Sequence, residues 1–361
     1  MDPITQGLLG GVTAQLGFRQ RIGRETTWVA TGAAMLPDCD IFVPLFMPSL
    51  RDGGHLAMVR VHRGITHSLL LVPVFAAVVA LGWWWIRRRR ARSDGAAPAE
   101  APPPFALLYG CCFVAILSHP LLDWCTSYGT QMLAPFSDAR LALDVMPIVD
   151  IFYTPILLLT VLGCFVARKL RPEARRATLL IGCIGFGLSL GYIGAGAALR
   201  GAAIRQARQV VAPENGAEYA AYPRLGTILL WRVTRRTPDR WMAFRVRPLF
   251  GLPPDRMRRT EAPVVENEWT RKARELPQAK TYHWFARGQT RATYEQEDGR
   301  HVVRLHDTRY GVRAEDLTSM WPLEVTFDSS GDLLSVQSVR RTGGRDRRRM
   351  IQSVWEDIWS P

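Results

Sequence analysis

The stretch ITHSLLLVPVFAAVVALGWWWI at residues 65–86, followed at once by RRRR at 87–90, decides the architecture. At about 1.5 Å per helical residue, such an apolar run reaches across the roughly 30 Å hydrocarbon core of a bilayer. Its tryptophan run fits the membrane interface, and the arginine block, extended by Arg92, assigns its C-terminal end to the cytoplasm by the positive-inside rule. His67 then lies toward the outside.

The pattern continues on both sides of this segment. SDGAAPAEAPPP at 93–104 reads as a Pro/Ala-rich linker, and the apolar run at 105–119 leads back outward. A run at 148–166 leads inward to the basic loop ARKLRPEARR at 167–176, and residues 177–199 return outward. Before residue 38 lie two shorter apolar segments, ITQGLLGGVTAQLGF and TTWVATGAAMLP, separated by Arg19, Arg21 and Arg24. Both are short for full spans, and their Gly, Ala and Thr residues allow close helix approach, as in tilted or half-buried bundle helices.

Composition changes near residue 200. Residues 214–361 are rich in Arg, Asp, Glu and Trp, and segments such as RLGTILLWRVTRR, RWMAFRVRPLF, TYHWFARGQTRATYEQ, HVVRLHDTRYG and LEVTFDSSGDLLSVQSVRR alternate polar and apolar residues between turns. The expected fold is an α-helical membrane bundle over residues 1–200, a linker at 201–213, and a smaller soluble antiparallel β (α+β) domain over 214–361. The helix directions place that domain in the periplasm and the chain in a bacterial inner membrane. The formal charge of +14 is concentrated in clusters beside apolar runs, which argues for a membrane protein in contact with lipid and against nucleic acid as partner. RTGGRDRRRM near the C-terminus reads as a solvated basic loop, with anionic lipid as the alternative partner. The six cysteines, at 39, 111, 112, 125, 164 and 183, have no CxxC spacing, so neither a disulfide framework nor a thiolate metal site is expected. No removable signal peptide is read at the N-terminus.

The same topology puts Asp2, Asp38, Asp40, His62, His67, His119, Asp123, Asp144 and Asp150 at outer helix ends, where they can converge. In SHPLLD, His119 and Asp123 are spaced i, i+4 and share one helix face, which suits two ligands of a first-row divalent ion or, alternatively, a hydrogen-bonded pair. HRGITHS adds His62 and His67, with Gly64 supplying a bend and Thr66 a cap. Arg63 between them is an anion clamp or the partner of Asp38 or Asp40. LPDCD offers Asp38 and Asp40. In an extended stretch they point apart, which favours one ligand and one carboxylate orienting a histidine, unless a turn brings both inward. An N-cap or acidic loop is the plainer alternative. Asp2 reads as a helix cap; Asp150 reads as a cap or an orienting carboxylate. Together these motifs read as a candidate divalent-metal site to which His62, His67, His119, Asp123 and one of Asp38 and Asp40 could contribute, with zinc a suitable ion, and Arg63 stays open between anion clamp and salt-bridge partner.

MDPITQGLLGG, LPDCD, HRGITHSLL and SHPLLDWCTSYGTQMLAPFSD, in this order over about residues 1–200, resemble the YdjM-type family of inner-membrane proteins regarded as metal-dependent hydrolases. That family is distantly similar to zinc-dependent phospholipases C and single-strand-specific zinc nucleases. The resemblance implies a membrane-bound hydrolase acting on phosphoester or lipid-like substrates through metal-activated water, and by motif position it points to Asp38, His62, His67, His119 and Asp123 as metal ligands, with Asp40 and Arg63 close by as the expected general base and substrate clamp. Where some relatives carry Thr-His, this chain carries Thr5-Gln6, a poorer ligand. Two other classes compete. One is a non-enzymatic envelope protein whose β domain binds a periplasmic protein partner; the other is an ion-relaying transporter, against which the one-sided clustering argues.

Overall fold

A computed structural model describes residues 1–47, 54–93, 103–171, 173, 175–251 and 257–339. The expected Pro/Ala-rich linker lies mostly, and the basic RTGGRDRRRM loop wholly, outside them. The chain divides into two compact units, residues 1–47, 61–143 and 148–195 forming the first and residues 48–60, 144–147 and 196–361 the second.

The first unit is helical: α1 (Pro3–Gln15), α2 (Phe18–Ile22), α3 (Thr26–Met35), a 3-10 helix Leu36–Phe42, α4 (Val43–Phe46), then α5 (Gly54–Val61) at its border, a 3-10 turn Ile65–His67, α6 (Leu71–Ser93), α7 (Phe105–Trp124), α8 (Tyr153–Leu170) and the start of α9 (Arg175–Val210). Among the described residues, five helical segments are long and apolar enough to cross a membrane: Thr26–Phe46, Leu71–Arg90, Phe105–Trp124, Tyr153–Leu170 and Arg175–Val210. The protein is therefore multi-pass. Two spans differ from expectation: the segment read as ending at Pro37 and too short to cross continues through the 3-10 helix and α4 to Phe46, and α6 starts at Leu71, not at residue 65, because the Gly64 bend and the turn after it break the helix. α9 runs on through residues 201–210, read as linker, where AAIRQARQ is rich in helix formers. Trp83 is not only an interfacial anchor. It is buried, and its Nε1 donates to Glu25 Oε1 at 2.6 Å, while Trp85 faces outward. All six cysteines are free.

Small residues set the spacing of the bundle. A Cβ on Gly10 of α1 would meet the Ala34 side chain and lie 2.5 Å from the Ala30 carbonyl oxygen, so α1 and α3 touch backbone to backbone. Gly10→Val is expected to destabilise the unit by about 2 kcal/mol or more through overpacking. Thermal unfolding of the detergent-solubilised protein measures this; an unchanged midpoint would refute the close contact.

The second unit holds two four-stranded antiparallel meanders. The first is β1 (Glu218–Pro223), β2 (Trp231–Arg236), β3 (Arg240–Val246) and β4 (Arg259–Pro263); the second is β5 (Thr290–Glu297), β6 (Arg300–Asp307), β7 (Leu323–Phe327) and β8 (Leu333–Ser338). Between them lie α10 (Glu268–Glu275), opened by a reciprocal Asn267/Thr270 capping box, and α11 (Pro277–Phe285). TYHWF, read as strand, is thus helix. Pro277 at the first helical position starts it, and Ala279, Tyr282 and Phe285 recur at helical spacing and are buried. Ala273, Ala279 and Tyr282 pack with Ala292, Val303, Leu305, Leu323, Val325 and Phe327 in one core. In the first sheet, Arg232 and Arg245 stand directly opposite each other, both buried. The guanidinium of Arg232 donates to the carbonyl oxygens of Thr308, Arg313, Ala314 and Asp316 and that of Arg224 to those of Gly311 and Val312, so two arginines tie down the 308–316 loop.

Candidate metal centre

Three breaks in helical regularity build the site. Pro37 falls where α3 gives way to the 3-10 helix Leu36–Phe42, and the tighter winding turns both Asp38 and Asp40 inward. The extended geometry considered for LPDCD does not occur; the turn alternative does. Residues 62–68 form the second break. Arg63 adopts a left-handed backbone (φ 60°), strained for a residue with a side chain. Asp40 Oδ2 holds this turn by accepting from the Arg63 backbone N–H and the Thr66 hydroxyl, each at 3.0 Å. The third is the end of α7, whose last turns carry His119 and Asp123 on one face.

Asp38, His67, His119 and Asp123 converge there, all buried. The two histidine Nε2 atoms are 3.1 Å apart. Asp38 Oδ1 lies 3.3 Å from His67 Nε2 and 3.4 Å from His119 Nε2. Asp123 Oδ2 lies 3.4 and 3.6 Å from the same two nitrogens. A tetrahedral zinc site with bonds of about 2.0–2.1 Å has ligand–ligand edges of about 3.3 Å, and these five distances of 3.1–3.6 Å are close to that edge length.

The far sides of both rings are engaged in the way ligating imidazoles require. His119 Nδ1 donates to the Ala34 carbonyl at 2.6 Å. His67 Nδ1 lies 3.0 Å from Thr66 Oγ1 and 3.5 Å from Asp40 Oδ2. Each Nε2 therefore points its lone pair to the centre. Burial pulls His67 down to about 4, which keeps the ring neutral and ligand-competent near neutral pH. Pro37 contributes to the first of these contacts. In a 3-10 pattern the donor to the Ala34 carbonyl is the N–H of residue 37, which proline lacks, and the oxygen is left for His119.

Asp123 is the hub. Its Oδ1 accepts from Gln6 Nε2 at 2.9 Å and from the Met1 amino group. Its Oδ2 is buried without a hydrogen-bond donor. Arg63 Nε comes within 3.0 Å of that oxygen, an ion-pair distance, but the approach is too bent for a hydrogen bond and leaves the Nε equally unpartnered. A carboxylate oxygen with no donor, facing two imidazole nitrogens, fits a cation; so does the two-nitrogen, two-oxygen donor set.

The remaining expected residues separate from this group. His62 stands at its more open side, its side chain 24% exposed, with Nδ1 2.8 Å from Asp40 Oδ1. It shares a second, looser grouping with Asp38 and Asp40. Arg63 pairs with Asp123 rather than with the side chains of Asp38 or Asp40; its Nη1 donates to Thr126 Oγ1 at 2.9 Å, and its guanidinium lies over Tyr128. Arg140, buried and not singled out by any sequence signal, lies over the same ring at 5.1 Å. Three carboxylates expected at this end do other work. Asp2 caps α1 through the Thr5 N–H, Asp150 accepts from the N–H groups of Phe152 and Tyr153 and from Tyr192, and Asp144 belongs to the second unit, paired with Arg287. Gln6, which the resemblance marks only as a poorer ligand standing where some relatives carry His, enters by binding Asp123 and the His119 carbonyl.

Residues 1–198 match the model of a family described as YdjM inner membrane protein. No curated protein and no solved structure matches the chain.

Proposed function

The chain belongs to the YdjM inner membrane protein family, and from that membership and the buried Asp/His group we propose that it is a metal-dependent hydrolase of the inner membrane acting on phosphoester or lipid-like substrates. The observation that carries the reading is the convergence of two Nε2 atoms and two carboxylate oxygens whose outer partners are already fixed. Asp38, His67, His119 and Asp123 would hold the ion, with zinc the best match to the donor set. A divalent ion held there supplies Lewis-acid activation of water.

The other residues take complementary roles. Asp40, engaged by His62, Arg63, Thr66 and His67, orients two rings and is a poor candidate for the base expected of it. His62 moves the proton, its Nδ1 side fixed by Asp40 and its ring at the open side. Arg63 offers its cationic edge to an anionic ester. The helix ends bearing these groups face the periplasm, as does the second unit, by the arginine clusters at the opposite ends of the spans.

Elemental analysis of the purified protein, paired with a phosphomonoester and phosphodiester screen with and without chelator, tests this reading. One ion per chain and chelator-sensitive turnover are expected. Metal-free protein after growth with zinc, inert in the screen, would favour the non-enzymatic envelope reading. His62→Gln is expected to retain the ion while turnover falls about 100-fold; loss of the ion would make His62 a ligand instead.

A further inference from the structure

The helical unit has a second polar feature, at the ends of α1 and α8 remote from Asp123. A cavity of about 580 Å³ opens there, lined by Arg19, Arg24, Arg168, Lys169 and Arg175 together with Phe165. No carboxylate lines it, and among the described residues none of these five cations has an acidic partner. The nearby Glu25 is taken by Trp83 and Arg87. Two of the arginines are held in place by neutral groups: Arg19 donates to the Arg24 carbonyl at 2.6 Å and Arg168 to Gln15 Oε1 at 2.9 Å. The Nε atoms of both are buried without an acceptor. Arg175 is also the first residue of the 36-residue helix α9, whose N-terminal dipole favours an anion.

We propose that this cavity binds the phosphate-bearing headgroup of an anionic membrane lipid. Five convergent cations with no carboxylate among them suit a polyanion or phosphate, and a cavity of this size admits a phosphoglycerol group. The choice of lipid over a free anion rests on α8. Leu159, Leu162, Phe165 and Val166 are exposed apolar residues on a membrane-spanning helix, and Phe165 itself lines the cavity, so acyl chains have a surface that continues from the headgroup site. Basic pockets between membrane helices recognise acidic headgroups in this way. Burial, followed by repulsion from Arg168 and Arg24, pulls Arg19 below the usual guanidinium range, consistent with a cluster missing its counter-ion.

Native mass spectrometry of the full-length protein, exchanged into phosphatidylglycerol or phosphatidylcholine of matched chains, tests the assignment. At least fivefold preferential retention of phosphatidylglycerol is expected. Arg24→Gln combined with Lys169→Gln, neither of which removes a side-chain bond within the fold, should reduce that preference at least fivefold. Arg171→Gln with Arg176→Gln, exposed cations outside the cavity, should leave it intact. Equal retention of the two lipids, or equal losses in both double variants, would overturn the proposal. So would equal thermal protection by millimolar inorganic phosphate, which would make this a soluble-anion site. If the first double variant fails to elute as a folded monodisperse species, Arg24→Gln alone carries the same comparison.

Discussion

Alanine at position 123 is expected to leave the protein without its bound ion and to destabilise the helical unit by about 3–5 kcal/mol, the range for removing one partner of a buried charge pair. Both effects follow from the position of this carboxylate. Oδ2 faces His67 and His119, while Oδ1 takes the Gln6 amide and the Met1 amino group. Without it, the buried Arg63 guanidinium loses its ion-pair partner. Asp123→Asn separates the two losses. It keeps the volume and an acceptor for Gln6, so part of the stability should return while the ion stays absent. Elemental analysis reads the first loss and thermal unfolding in detergent the second. A folded D123A protein with full metal content would remove Asp123 from the ligand set.

Arg232→Met should have the largest effect in the second unit. The substitution preserves most of the apolar stem but removes the guanidinium donor from the carbonyl oxygens of Thr308, Arg313, Ala314 and Asp316, of which Arg313 keeps the Asp316 N–H. Some of these oxygens will rehydrate, so a cost of about 3 kcal/mol is expected rather than the sum of four lost bonds. The first symptom should be local: trypsin should cleave at Arg309 or Arg313 before the sheets melt. Lysine should rescue only in part, because one ammonium cannot span the fork-shaped array that a guanidinium fills. Wild-type protease resistance in R232M would show that the 308–316 loop is held by other contacts.

How far the sequence reveals this molecule depends on the range of the interactions involved. The long apolar runs and the basic clusters at their ends are local signals, and they identify a multi-pass helical protein. His119 and Asp123 are legible for the same reason, since an i, i+4 spacing on one helix needs nothing from the rest of the chain. His67 and Asp38 are legible as residue types, but their geometry depends on where a helix breaks. The sequence reading therefore starts α6 too early and leaves the 3-10 winding at Asp38 and Asp40 as one of two alternatives. His62 is grouped with the ligands by proximity in sequence; its bond to Asp40 is a tertiary fact. Strands β1 and β4 escape notice because EYAAYP and RTEAP are short edge segments containing Ala, Glu and Pro, with little β propensity. TYHWF misleads in the opposite direction. Its aromatic residues favour strands, but the chain enters it from a helix-starting proline.

The contact between His119 and the Ala34 carbonyl has a consequence for how the site could change over evolutionary time. Pro37 denies that carbonyl its local donor, and His119, distant in the chain, takes the place of the missing N–H. The two positions act together on one carbonyl oxygen. A residue at 37 that restored the helical bond would compete with the imidazole, and a ring released from that anchor could flip and present its other nitrogen inward. The tautomer at the heart of the site is thus written partly in a proline that offers it no ligand atom.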